Sequence, residues 1–467
     1  MSFTDEQKVR EGLVTAGSAI NTIKSLAWHV RRSMLGSEYT RATVLITLAG
    51  LLCACATRPL ALPRESYQAL PWGAVNWHTH ETEASLRLSR SLSPDLGAST
   101  AELPRYAVLS LSGGGAKGAF GAGLLCGWTK HGTRPQFQIV TGISTGALMA
   151  TFVFLGSKYD GELKRFYTTT TDADIMTRHW FGGLSDSMAD SAPLRKTIAR
   201  FVNTRVLEKV AAEHRKGRRL YVATTDLDGN RLVIWDLGAI AASKRPDRLK
   251  RYRDVLLASA SIPIVFPPVY FPVDVDGKRY WQMHVDGGAV TNLFFSGFML
   301  DVQRKIEREN LKHGAQVDFY IIMNGELEPE PLPQAVEPNL FSIATAFTWS
   351  TSWAAQVNTL ARFYRAVRGM GFGFHLAGIP EDYPGRVPTT SFDPKPMTKL
   401  FRYARDRAMR GYPWRKAPPG LNWREVMPPT PNGRISRISQ QSSKRANSLE
   451  IDEAVITRSM RSSGDRN

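Results

Sequence analysis

Three glycine-bearing turns carry the residues able to do covalent chemistry. The first is Gly113-Gly114-Gly115-Ala116-Lys117-Gly118, directly after the apolar run Tyr106–Ser112. Residues without side chains let main-chain N–H groups converge on one point, and a helix start adds positive potential, so something anionic belongs there. Three chemistries compete. A phosphate-binding P-loop needs Gly-Lys-Ser/Thr, but the order here is Lys117-Gly118, so the metal-binding hydroxyl is missing. A dinucleotide fingerprint fits the spacing of Gly113, Gly115 and Gly118. It also wants an acidic residue about 20 positions on, at the end of the next strand, and that strand ends in Thr141-Gly142. The third is an oxyanion hole, whose amides receive a developing alkoxide.

The second turn decides between them. Gly142-Ile143-Ser144-Thr145-Gly146 sits between a predicted strand and a predicted helix, the setting of a nucleophile elbow. Gly142 and Gly146 permit a sharp turn and close backbone approach. Ser144 is thereby held at a helix N-terminus, whose dipole favours developing negative charge. The spacing by itself recurs by chance; the strand–turn–helix setting and the oxyanion loop about 30 residues upstream give it weight. The third turn is Asp286-Gly287-Gly288, after the run Lys278–Val285. A carboxylate at a strand end, followed by two glycines, can lie close to another backbone, although Asp-Gly is also an ordinary turn. His284 shares a face with Asp286 in a regular strand. It offers a rival Ser–His–Asp arrangement that needs a separate orienting carboxylate.

Taken together, GGGAKG, GISTG and DGG, in that order, resemble the patatin-like phospholipase family, as does the proline-bearing segment Ala258–Val269 (ASASIPIVFPPV). The resemblance covers roughly residues 104–325. It implies an α/β, three-layer fold with a mainly parallel central sheet and helices on both faces. It also implies a Ser–Asp dyad without histidine: Ser144 as nucleophile, Asp286 as general base and acid, and the amides of Gly114 and Gly115 as oxyanion donors with Gly113 shaping the loop. Lys117 fits the family's basic position, fixing the loop or attracting phosphate, unless it is simply a solvated lysine at a helix start. The implied activity is serine lipid acyl hydrolysis, phospholipase A-like, on carboxylic esters of phospholipids or related lipids, with no cofactor and no metal. An aspartate near its reference pKa of about 3.9 is a poor base for a hydroxyl at pH 7. Proton transfer must therefore accompany attack, and desolvation must raise the carboxylate's basicity. The alternative function is a non-catalytic lipid-binding envelope protein on the same scaffold; nucleotide binding through Gly113–Gly118 is weaker still.

The elements that must position these turns read as alternating strand and helix. Tyr106–Ser112 and Gln138–Thr141 read as buried strands, each followed by a helix, Gly118–Lys130 and Thr145–Leu155, which argues for a parallel sheet covered by helices. Residues 160–214 read as mainly helical. Arg219–Thr225 and Leu232–Leu237 read as strands paired across Asp228-Gly229-Asn230, and Asp247–Ser259 as a helix. Asp276-Gly277 between Val269–Val275 and Lys278–Val285 is a strong hairpin signal. Phe294–Asn310 reads as a helix and Val317–Met323 as a strand. Residues 339–368 form a long helical stretch with aromatic side chains, expected mainly as core.

The domains expected are an N-terminal signal or lipoprotein-type segment (1–56), a tether or irregular cap (57–103), the catalytic core (104–325), a helical part packing on it (326–413) and a disordered basic tail (414–467). The apolar run Ala42–Ala56 makes about 22 Å of helix, short of the roughly 30 Å hydrocarbon layer. With Arg31, Arg32 and Arg41 before it, the run has the layout of a secretory signal, for which Met34 makes the conventional start. Leu52-Cys53-Ala54-Cys55 resembles a bacterial lipoprotein box, making Cys55 the lipidation candidate and the bacterial envelope the expected location. Only 3 cysteines are present, which excludes a disulfide scaffold. His78, His80 and Glu81 are read as solvated rather than as a metal site. The net charge is +18 and the basic excess persists between the two ends, which suits an anionic lipid surface. No nucleic-acid partner is expected.

Overall fold

The computed structural model describes residues 58–75, 105–178, 187–294, 316–328, 335–338, 340–369 and 371–421. Met34, Cys55, His78, His80, Glu81, most of Phe294–Asn310 and the tail beyond 421 lie outside them. The strands are β1 (Ala74–Val75), β2 (Arg105–Leu111), β3 (Ile139–Gly142), β4 (Thr177–Arg178), β5 (Ala189–Asp190), β6 (Arg219–Asp226), β7 (Arg231–Asp236), β8 (Val269–Val275), β9 (Lys278–Asp286), β10 (Gln316–Glu326) and β11 (Gly373–Ile379). All but the separate β4–β5 ladder join one sheet, ordered β1-β7-β6-β3-β2-β10-β11, with β9 paired to β6 and β8 to β9. The five strands β6, β3, β2, β10 and β11 are parallel. β7 and β9 run against β6.

The helices are α1 (Gly118–His131), α2 (Thr145–Leu155), α3 (Asp160–Thr169), α4 (Asp172–Ile175), α5 (Ala192–Phe201), α6 (Thr204–Arg215), α7 (Leu237–Ala242), α8 (Arg248–Ser259), α9 (Leu340–Gly369) and α10 (Pro394–Met409). Strand periodicity sorts them into layers, because successive side chains point to opposite faces. On β2, Ala107, Leu109 and Leu111 join the core made with α1, α2, α5, α6, α7, α8 and α10. Val108 points the other way, where Phe319, Ile321 and Met323 of β10 meet Leu360, Phe363, Tyr364 and Val367 of α9. The result is the expected three-layer α/β arrangement with a mainly parallel sheet.

The sheet extends beyond the expected core at both ends. Residues 58–75, within the segment expected as a tether or irregular cap, dock along the sheet edge: Ala74 pairs with Trp235, Ala61 bridges to Trp281, and Arg58 forks onto Asp228 with bonds of 2.8 and 2.7 Å. The part expected as helical, 326–413, also contributes β11, whose strand signal is interrupted by Gly373 and Gly378. The aromatic helix α9 is divided. Phe363 and Tyr364 are core residues, whereas Phe347 is 68% exposed.

β6 acts as the ruler that brings the two candidate side chains together. Its Tyr221–Asp226 edge pairs with β7, so β3 and β9 share the other edge. Gly142, the end of β3, lies opposite Val222; Asp286, the end of β9, lies opposite Thr224. Two residues of strand span about 7 Å. β3 and β9 therefore run head-on and stop just short of each other, with their terminal turns filling the gap. The Asp276-Gly277 turn that sends β9 back has φ of 51° and 74°, the left-handed pair such a hairpin demands.

Candidate active site

Ser144 sits in that gap as the N-cap of α2, with φ 55° and ψ −125°. A side-chain-bearing residue pays for this left-handed conformation, and it persists only where the surroundings over-determine it. The neighbours explain how the chain reaches it. A Cβ on Gly142 would lie 2.5 Å from the Gly146 carbonyl oxygen, and one on Gly146 would run into the Leu111 carbonyl. The elbow is thus pressed against the end of β2. Gly118 likewise lets α1 cross α2, where Thr145 Oγ1 meets Tyr167 Oη at 2.6 Å.

The Ser144 side chain lies near enough to the Asp286 carboxyl to favour its charged form. Asp286 accepts the Gly288 N–H at 2.7 Å, which fixes the rotation of its carboxyl group. Gly287 leaves room for the Ala223 carbonyl, which a Cβ there would approach to 2.8 Å. Ser144 and Asp286 are 7% and 4% exposed. Burial pushes the Asp286 carboxyl up from its ordinary 3.8 to about 7, against the opposing pull of Ser144 and the Gly288 N–H. The buried carboxylate is thus far more basic than an exposed one, as the required chemistry demands.

The glycine loop closes the third side. Gly114 and Gly115 have φ of 148° and 55°, and a Cβ on either would run into a carbonyl oxygen, of Asn324 and Thr389 respectively. A Cβ on Gly113 would fall 3.3 Å from Ser144 Cβ, so this end of the loop abuts the serine. Among the described residues, no main-chain carbonyl takes the N–H of Gly113, Gly114 or Gly115, whereas those of Ala116 and Lys117 go to Thr389 and Gly114. The loop's own main chain therefore does not tie up these three N–H groups.

Lys117 does not join this group. Its Nζ pairs with Glu326 at 2.5 Å, facing a cavity of about 780 Å³ whose walls include Thr389, Arg386 and Arg415 but neither Ser144 nor Asp286. Of the readings expected for Lys117, fixing the loop is the one this contact serves, and the paired, largely buried side chain is not simply solvated. His284 is also elsewhere engaged. Its ring packs against Trp235 and Phe271, and Nδ1 lies 2.8 Å from Thr224 Oγ1. Gln282 Nε2 donates to Ala69 O, so its Oε1 accepts from His284 Nε2, and Nδ1 is left to accept from the Thr224 hydroxyl, which also accepts from Trp235 Nε1. Burial holds His284 down at about 3, so it is neutral, and no bond joins it to Ser144 or Asp286.

The sequence reading passed over three residues. Asn324 at the end of β10 staples the glycine loop: its side chain donates to Ser112 O at 2.8 Å and accepts from Gly121 N at 3.2 Å. Asn292 presents Oδ1 3.2 Å from where a Gly113 Cβ would stand and 3.1 Å from the same point on Gly288. Ser259 accepts the Ser144 N–H at 3.0 Å. Asn292 follows the Asp-Gly-Gly turn, and Ser259 lies in the proline-bearing segment, so their positions had a signal. Asn324 had none. Among the described residues, no cluster of His, Cys, Asp or Glu could hold a metal ion.

The serine elbow, the Asp286 carboxyl and the glycine loop thus lie together at the end of parallel strand β3 in a three-layer α/β fold. Residues 109–299 match the family model described as patatin-like phospholipase, a stretch that includes Gly113–Gly118, Ser144 and Asp286. No curated protein sequence matches the chain. Among solved structures, it is similar to VipD from Legionella pneumophila, with 11% identity, 68% of this chain and 71% of that chain covered, and a TM-score of 0.30. It is also similar to human GIVD cytosolic phospholipase A2 in complex with methyl gamma-linolenyl fluorophosphonate, with 11% identity, 76% and 64% covered, and a TM-score of 0.27.

Proposed function

We propose that the protein is a serine lipid acyl hydrolase, phospholipase A-like, working through a Ser144–Asp286 dyad and an acyl-enzyme. The observation that carries this is the meeting of Ser144 with the buried Asp286 carboxyl, beside loop N–H groups that no main-chain carbonyl takes. Ser144 Oγ attacks the ester carbonyl carbon while its proton passes to Asp286. The carbonyl oxygen becomes an oxyanion, received by the N–H groups of the Gly113–Gly115 loop. One such donor is worth about 3–4 kcal/mol, comparable with general-base assistance. The tetrahedral carbon then expels the alcohol, which takes the proton from Asp286 and leaves an acyl-Ser144. Water attacks this ester and gives its proton to Asp286, and collapse returns the serine hydroxyl and the free fatty acid.

The substrate is the carboxylic ester of a phospholipid or related acyl lipid, met at a membrane surface of the bacterial envelope. A lipidated Cys55 or a retained N-terminal segment holds the enzyme there. What supports this location is the basic charge, the apolar run before Ala56, and the course of residues 58–61. Arg58 is bonded to Asp228, just past the end of β6, and Trp281 N donates to Leu60 O at 2.9 Å. Both contacts are on the edge of the sheet that bears Ser144. An anchor at Cys55 lies three residues from Arg58, about 10 Å of extended chain. Ile264 and Val290, on segments flanking Asp286, expose apolar side chains.

The test is hydrolysis of defined phospholipids by the full chain, with products read by mass spectrometry. Ser144→Ala and Asp286→Asn are each expected to abolish fatty-acid release while leaving the circular dichroism spectrum unchanged. Release retained by either variant contradicts the dyad. Labelling of Ser144 by a fluorophosphonate separates this reading from a lipid binder, which has no need of an activated hydroxyl.

A further inference from the structure

One short segment holds the main chains of both Ser144 and Asp286. The Ser144 N–H donates to Ser259 Oγ at 3.0 Å, and the Ser259 hydroxyl donates onward to the Ala223 carbonyl at 2.7 Å. Two residues later, the Ser261 carbonyl accepts the Asp286 N–H at 2.8 Å. The Ser261 hydroxyl turns back to Leu257 O at 2.9 Å, tying the segment to the last turn of α8. Ser259 and Ser261 are both fully buried. The Ala223 carbonyl is also the group against which Gly287 is packed. The elbow, β6 and the Asp-Gly-Gly turn therefore meet at one point, and Ser259 is the side chain at the junction.

The chemistry at that junction calls for a hydroxyl. Ala223 needs a donor and Ser144 N–H needs an acceptor, and a single O–H serves both with its direction fixed. Ser144 is in a conformation that most side chains avoid, and its N–H is buried, so without an acceptor the elbow relaxes toward a geometry that frees this group. Relaxation swings the Ser144 side chain relative to a carboxylate whose own main chain stays fixed by Ser261. We propose that Ser259 is a positioning residue for the reaction: it holds Ser144 in the strained elbow that aims Oγ at both Asp286 and the substrate carbonyl. This rests on the Ser144–Asp286 reading of the site.

The experiment uses the full chain with Ser259→Ala, Ser259→Thr and Ser259→Cys. It measures kcat and KM on a water-soluble short-chain ester, the rate constant of labelling by a fluorophosphonate, and Tm. Rates are expressed per labelled active site, so that unfolded protein does not count. A displacement of the reacting atoms on the scale of 1 Å costs up to about 100-fold. Ser259→Ala is therefore expected to lower kcat and the labelling rate constant together by about 10- to 100-fold, with KM within about twofold of wild type. Ser259→Thr, which keeps the hydroxyl, restores most of the loss. Ser259→Cys, a weaker acceptor of similar size, falls between and keeps the proposal testable should the alanine variant not fold. Wild-type labelling per site in Ser259→Ala or Ser259→Cys, with only the yield or Tm reduced, overturns it, because that is the signature of a purely structural residue. Failure of the wild-type chain to label or hydrolyse at all sinks the hydrolase reading and this inference with it, and is told apart by occurring before any substitution is made.

Discussion

Replacing Asp286 by asparagine should inactivate the protein and stabilise it at neutral pH. The amide keeps an oxygen for the Ser144 hydroxyl and the Gly288 N–H but never carries charge. The wild-type carboxyl ionises near its ordinary 3.8 in the unfolded chain and at about 7 in the folded one. Between those values the folded state holds a proton that the unfolded state has released, so stability falls as pH rises through this window. Below pH 3.8 both states are protonated, and above about 7 both are ionised, so the loss begins at the first value and is complete past the second. At 1.36 kcal/mol per pH unit the full loss is about 4 kcal/mol. That is a large part of the 5–15 kcal/mol typical of a folded domain. The other titrating groups are common to both chains and cancel in the difference. Chemical unfolding of wild type and Asp286→Asn at pH 4, 5.5, 7 and 8.5 measures it. The advantage of the variant over wild type should widen by about 4 kcal/mol from the lowest pH to neutrality and then stay level. A difference that does not change with pH would falsify the claim that this carboxylate is desolvated in the folded protein.

If the proposed dyad is right, the same buried carboxyl should set the pH dependence of hydrolysis. With Asp286 as base, kcat/KM on a soluble ester should rise with a midpoint near 7 and level off above it; a rise centred near 4 refutes the assignment. Asn324→Ala strips a partner from Ser112 O and Gly121 N. Each group left unpaired costs about 1–3 kcal/mol, and the drop in kcat should exceed any change in KM because the glycine loop loses its staple. Steady-state kinetics with denaturant titration checks both. Inserting a 20-residue Gly/Ser linker between Thr57 and Arg58 should reduce hydrolysis of phospholipid vesicles while leaving vesicle binding and soluble-ester hydrolysis unchanged. Equal vesicle hydrolysis with and without the linker argues against an anchor that orients the site.

Much of the site was legible in the chain because its demands are local. An elbow needs small residues two before and two after the serine, whatever lies elsewhere, and Gly142 and Gly146 state that need directly. The same holds for Asp276-Gly277, whose two left-handed residues fold the hairpin that returns β9. Alternating apolar runs and helix periods likewise announce β2, α1, β3 and α2, since burial on both faces of a parallel strand is written into its composition. The strands at the ends of the sheet were less visible. β1 is two residues long, and β11 carries two glycines, so what makes them strands is the edge they pair with rather than their own preference.

Other properties belong to the tertiary structure alone. Nothing in the order of residues says that β3 and β9 meet head-on along β6, although this is what joins positions 144 and 286. Nor does it say that Lys117 turns to Glu326, that His284 is sealed among Trp235, Phe271 and Thr224, or that Ser259 reaches the serine N–H. These are contacts between side chains far apart in the chain, and their energies depend on distance and dehydration. The raised basicity of Asp286 is of the same kind. An aspartate is the same chemical group wherever it occurs, and only its burial in the folded protein raises its basicity toward neutral pH.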